Sequence, residues 1–154
     1  MKNNRQLAHV WSVLCRSSSI DIDSNLISLF DVIENVEVVP TERINPRPDG
    51  AVSVSIESEI VTLWERKNSD DRDISEQVFL RLVDPQGKVL KESVFLLDIK
   101  RGFKRMRFRL KINGIVVTTA GEYRFKLYLK EESGEQKYEV ASLPLDVGFS
   151  EPEK

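Results

Sequence analysis

With 154 residues, 40% of them hydrophobic and 31% charged, the chain has the composition of one soluble globular domain spanning 1–154, with an ordered core at about 7–147. Its net charge of −2 does not by itself point to nucleic acid or acidic lipid as a partner. A single cysteine and a single histidine, Cys15 and His9, exclude an intrachain disulfide and any zinc, haem or iron–sulfur site built by one chain. No cofactor is expected. The basic residues Lys2 and Arg5 precede a mildly apolar run that reaches Arg16 without a small-residue cleavage site, and no stretch is apolar for long enough to span a membrane. A cytoplasmic protein is the expectation.

From Leu7 to Arg16 both parities are mostly apolar, as in a strand covered on both faces. Ser17-Ser18-Ser19 then interrupts, and Ile20-Asp21-Ile22-Asp23-Ser24-Asn25 carries turn chemistry. Leu26 to Glu34 fits either a short helix, through Leu26, Leu29, Phe30 and Ile33, or a strand running on into Val36-Glu37-Val38-Val39; the strand is the preferred reading. Pro40, Pro46, Pro48 and Asp49-Gly50 mark a loop long enough to cross between sheets. Val52, Val54 and Ile56 alternate with Ser53, Ser55 and Glu57, then the phase slips near Ser58 to Val61, which predicts a bulge or break.

Asp84-Pro85-Gln86-Gly87 has the residues a type I turn prefers and predicts a hairpin between Glu76–Val83 and Lys88–Ile99. Met106, Phe108, Leu110 and Ile112 then alternate with Arg105, Arg107, Arg109 and Lys111, and Asn113-Gly114 reads as the turn that ends this strand. Tyr123, Phe125, Leu127 and Leu129 occupy the buried face of the next strand. Ser133-Gly134 closes a hairpin into Gln136–Val147, where Pro144 fits an edge position.

Short strands between turn signals, with no long helix, predict an all-β, single-domain antiparallel β-sandwich, immunoglobulin-like or C2-like Greek key, of about seven to nine strands. Gly121-Glu122-Tyr123 before the buried Phe125 mimics a tyrosine corner, in which a tyrosine opening a strand bonds back to upstream backbone. The alternative is that Tyr123 simply fills the core.

The run Val13-Leu14-Cys15-Arg16, with Ile20-Asp21, Asn25-Leu26 and Ser28 to Glu34, resembles a group of small uncharacterised bacterial proteins of about this length. Asp84 to Lys88, Gly121-Glu122-Tyr123 and Leu143-Pro144-Leu145-Asp146-Val147 match that group's later landmarks. The resemblance runs from about Leu7 to Val147; it implies a β-sandwich, and it brings no activity and no catalytic residues.

The chemistry legible in the residues is sparse. His9 and Cys15 on one straight strand would share a face yet stand ~20 Å apart, too far for a nucleophile and its base. There is no glycine-rich phosphate loop and no nucleophile elbow, so no enzyme is expected. Asp21 and Asp23 begin like a calcium loop, but Leu26 and Val32 hold the places an EF-hand gives to glycine and glutamate. They could still join Asp70, Asp71 and Asp73 as apical ligands of a sandwich-type calcium site.

One feature exceeds background. Residues 100–126 carry nine positive charges and one negative, a net +8 that leaves −10 to the rest. Arg105, Arg107, Arg109 and Lys111 form a comb with teeth ~6.7 Å apart. An acidic protein partner, self-association or single-stranded nucleic acid could dock there, with Phe103 as a stacking surface. The bland alternative is a wet sheet face whose cations meet Glu57, Glu59 or Glu122 across strands. These residues predict a non-enzymatic interaction or assembly module, with a calcium- or ligand-binding sandwich as the alternative.

Overall fold

The computed structural model describes residues 6–39, 50–67, 72–131 and 134–150. They form nine strands: β1 (Leu7–Ile20), β2 (Ile27–Val32), β3 (Asn35–Val38), β4 (Val52–Arg66), β5 (Ile74–Val83), β6 (Val89–Ile99), β7 (Arg105–Val117), β8 (Gly121–Lys130) and β9 (Lys137–Phe149). The first sheet has the order β2-β1-β4-β7 and the second β3-β9-β8-β5-β6. Every pairing is antiparallel except β3 with β9. The described residues contain no helix.

The two sheets bury one face each because the apolar residues recur every second position. Trp64 and Ile60 from the first sheet share one core with Val78, Leu97, Tyr123, Leu127 and Leu145 from the second, all at 0% exposure. Each such side chain contributes roughly 1.5–3 kcal/mol on leaving water. Trp64 Nε1 donates to Thr62 Oγ1 at 2.7 Å, so the indole is buried without an orphaned donor.

Residues 27–32 are strand, as expected. Asn25 at φ 59° and Asp31 at φ 53° interrupt the backbone on either side of too few residues for a stable helix. The proline-rich segment 40–49 lies outside the described residues, but it does join the second sheet (β3) to the first (β4). The β5–β6 turn has the anticipated chemistry: Asp84 Oδ1 accepts from Gln86 N (3.0 Å) and Lys88 N (2.7 Å), and Gly87 sits at φ 88°. Pro144 pairs with Arg124 of β8 while β3 reaches β9 only from Asp146 onward, so the proline does face an open edge.

Three expectations fail: β1 runs through Ser17-Ser18-Ser19 to Ile20 without a break, paired there with β2, and two others give way to bulges. Asn113-Gly114 does not turn the chain; β7 runs unbroken to Val117, and the register against β4 shifts between Val54 and Glu57. Gly114, at φ 95°, lies where a Cβ would sit 3.0 Å from the carbonyl oxygen of Val54. The phase slip anticipated in β4 falls at Ser55 and Ile56, which together oppose Gly114; a glycine at positive φ serves this irregularity as it would a tight turn, so the local signal is the same for either. In β1 the register against β4 shifts between His9 and Trp11, which puts His9 opposite the core residue Trp64 and Cys15 opposite the outward Glu59. The two therefore do not share a face.

Tyr123 makes a complete corner. Its hydroxyl accepts from Thr118 N (2.8 Å) and Thr119 N (3.0 Å) and donates to Thr119 O (2.7 Å), at zero exposure. Tyr123→Phe orphans those backbone groups and should cost about 1–3 kcal/mol in urea unfolding; an unchanged midpoint would show the corner to be incidental.

Candidate functional site

The cationic comb lies on the outward parity of β7, an edge strand of the first sheet. Each tooth faces β4 in register: Arg105 meets Glu65, Arg107 meets Leu63, Arg109 meets Val61 and Lys111 meets Glu59. Arg105 Nε pairs with Glu65 Oε2 at 2.9 Å. Arg107 Nη2 donates to the carbonyl oxygen of Asn25, and Arg109 Nη1 reaches Ser18 Oγ at 3.5 Å. Ser18 in turn donates to Glu59 Oε2 at 2.6 Å.

These contacts locate the β1–β2 hairpin. Arg107 stands in line with Trp11 across β4, and β1 runs nine residues past Trp11 to Ile20, about 30 Å if straight. Asn25 can meet Arg107 only if the far end of the hairpin bends back across the outer face of the first sheet. Val61 and Cys15, both of outward parity, have zero exposure, which a covering hairpin explains. The comb is therefore partly covered: three of its four cations hold groups of their own chain.

Asp21 serves the hairpin turn. Its Oδ1 accepts from Ser24 N (2.8 Å) and Asp23 N (2.9 Å), and these hydrogen bonds, Ser24 first, hold its carboxyl below the usual range. Asp73 Oδ1 accepts from Arg101 N at 2.7 Å. Asp70 and Asp71 lie outside the described residues. Among the described residues no three His, Cys, Asp or Glu side chains are grouped so as to hold a metal ion, so Asp21, Asp23 and Asp73 share no centre.

His9 packs edge-on against Trp64 (5.1 Å between centroids, 76° between planes) with Nε2 2.6 Å from Ser12 Oγ. Burial pushes its pKa down. Cys15 is buried, and burial, then the charge of Glu59, pushes its thiol up, away from the reactive thiolate.

Three features escaped the residues read alone. Arg66, on the inner face and only 9% exposed, donates to the carbonyl oxygens of Phe103 (3.3 Å), Lys100 (3.3 Å) and Arg72, tying the β6–β7 and β4–β5 connections together. Edge strand β6 exposes Val94 and Leu96 at 51% and 54%. Between β6 and β7, beyond the stacked rings of Phe95 and Phe108 (4.7 Å), a cleft of about 310 Å³ opens among Leu80, Leu82, Leu110, Ile112 and Phe125. Signals existed for the first two, an arginine in the buried parity of β4 and Val94-Phe95-Leu96-Leu97 without a charge; the cleft depends on sheet order.

No family model and no curated protein matches the chain. Among solved structures it is similar to the N-terminal domain of PorA, at 12% identity over 90% of this chain and 97% of that one, with a TM-score of 0.25. A likeness of that degree carries no functional argument.

Two measurements check this site. Arg107→Ala should loosen the hairpin and speed amide exchange across 17–31 while leaving β8 and β9 protected; unchanged exchange would mean the hairpin is held by other contacts. For His9, burial depresses the folded-state pKa, so the unfolded chain binds more protons as pH falls below the ordinary histidine value, and stability declines there. Between about pH 7.5 and about pH 5.5 the melting temperature should drop more for the native chain than for His9→Phe; equal slopes would contradict this.

Proposed function

We propose that this protein is a non-catalytic interaction module that takes up an extended, apolar segment of a protein partner, or of a second copy, as an added strand along β6. The observation that carries the reading is how unequally its four sheet edges are guarded. β2 kinks at Asp31, whose φ is 53°, β3 is only four residues long, and β7 carries the comb. Proteins block strand addition with such devices. β6 has none of them from Ser93 to Leu97: no charge, no proline, and its register shift against β5 falls elsewhere, at Leu82/Val83.

The flanks of that stretch are compatible with docking. Glu92 is held by Arg81 Nε (2.5 Å) and Lys137 Nζ (3.3 Å), and the Arg81 guanidinium keeps its carboxyl below the usual range. Its charge is thus matched within the sheet rather than set against an incoming strand. Beside Val94 in the sheet lies Phe79, which carries Lys137 over its ring at 4.0 Å. An added strand would satisfy edge backbone groups and seat alternate side chains on Val94 and Leu96.

The finer reading of the sandwich is immunoglobulin-like. What supports it is the order β6-β5-β8-β9, which matches C′-C-F-G, the adjacency of β4 and β7 as B and E, and a tyrosine corner opening β8. A cytoplasmic, bacterial setting belongs to the same proposal, supported by a lone buried thiol and by the sequence resemblance. Docking of an acidic partner or nucleic acid on the comb is disfavoured by the contacts its arginines already make.

The test compares native chain, Val94→Lys/Leu96→Lys and Arg105→Glu/Arg107→Glu/Arg109→Glu in sedimentation velocity and in affinity recovery from the host. The lysine pair lies on the surface and should change stability by no more than about 0.5 kcal/mol per site. It should abolish the association that the native chain shows. Association that survives in the lysine pair and fails in the charge-reversed chain would overturn the proposal in favour of the comb.

A further inference from the structure

The cleft between β6 and β7 has a chemistry of its own. Its floor is formed by Leu80 and Leu82 of β5, Phe125 of β8, and Leu110 and Ile112 of β7. Alternation would place bulky apolar residues at the inward positions of β6, as it does at Phe95, Leu97 and Ile99. Toward the β5–β6 turn those inward positions are instead Ser93 and Lys91. Across the gap Gly114, at φ 95° and opposite the Ser55–Ile56 bulge of β4, leaves no side chain where the inward alternation from Met106 to Ile112 would place the next one. Small and polar groups thus stand where filling side chains would close the sandwich, and the space stays open.

The mouth is polar and of one sign. On the inward face of β6 Ser93 offers a hydrogen bond and Lys91 a positive charge; Ser53, Lys111 and Asn113 border the cleft from β4 and β7, and no carboxylate lines it. Neither lysine makes an ion pair among the described residues. A volume of about 310 Å³ lies at the small end of ligand pockets, which are typically apolar with a few placed polar groups. A carboxylate-headed chain satisfies both halves at once: its tail covers Leu110 and Ile112, the partly exposed part of the floor, and its head meets the ammonium of Lys91.

We infer that this cleft is a binding site for a single-chain anionic amphiphile of the fatty-acid class, tail between the sheets and carboxylate at Lys91. This goes beyond strand addition and does not require it, since Val94 and Leu96 point to the opposite face of β6 from Lys91 and Ser93.

The test is isothermal titration of the full chain with decanoate below its micellar range, with decanol as the neutral probe. Decanoate should bind one to one and more tightly than decanol. Lys91→Glu, an exposed substitution, should weaken decanoate about tenfold, the worth of one charge-assisted contact, and leave decanol unchanged. Ser93→Phe should fill the cleft and abolish both; its melting curve checks that it folds. Val94→Lys/Leu96→Lys should bind decanoate normally, which separates this site from the β6 edge. No heat of binding, or decanoate binding indifferent to both Lys91→Glu and Ser93→Phe, would overturn the inference.

Discussion

Two sheets that each bury one face against the other leave four edges, and those edges are where this fold can act. The constraint is steric and hydrophobic at once. Trp64, Leu97, Tyr123 and Leu127 sit at zero exposure because alternate residues from both sheets meet in one layer. Once that layer is filled, the polar residues are driven outward, and among the described residues the outermost strands β2, β3, β6 and β7 present unpaired backbone groups, as do β1 before Cys15 and β9 before Asp146, which β2 and β3 do not reach.

The chain treats these edges differently. The first sheet folds its own β1–β2 hairpin back over its outer face, and Ser18 and Asn25 engage Glu59, Arg109 and Arg107. What looks like a cationic docking strip is in part an internal clasp. Individually such exposed contacts contribute little, typically below about 1 kcal/mol. Together they position a cover whose removal would expose Val61 and Cys15. On the opposite side, β6 is left bare, and the sandwich beside it is left unsealed.

Much of the fold was legible because its signals are local. The alternation from Tyr123 to Leu129, the Asp84–Gly87 turn and the tyrosine corner each depend on a few consecutive residues, and each appears where expected. The failures have a common cause as well. Asn113-Gly114 supplies a left-handed backbone that serves a hairpin or a bulge equally, and only the partner strand decides which. The shift near Val10 turns His9 inward by the same kind of event. The candidate sites fared worse than the elements, because a site is a matter of long-range adjacency. Arg107 and Asn25 lie 82 positions apart, and nothing near either residue announces the other. Likewise Val94 and Leu96 become significant only once β6 is known to end a sheet.

Residue-resolved amide exchange on the isolated chain reads whether β6 is an uncovered edge. An uncovered β6 gives alternation from Ser93 to Leu97, with amides bonded to β5 exchanging slowly and those directed away from it exchanging nearly as fast as in a loop. Uniform protection along β6, equal to that of β5 and β8 at its centre, would mean that something already covers the edge and that β6 is not free to take up a strand.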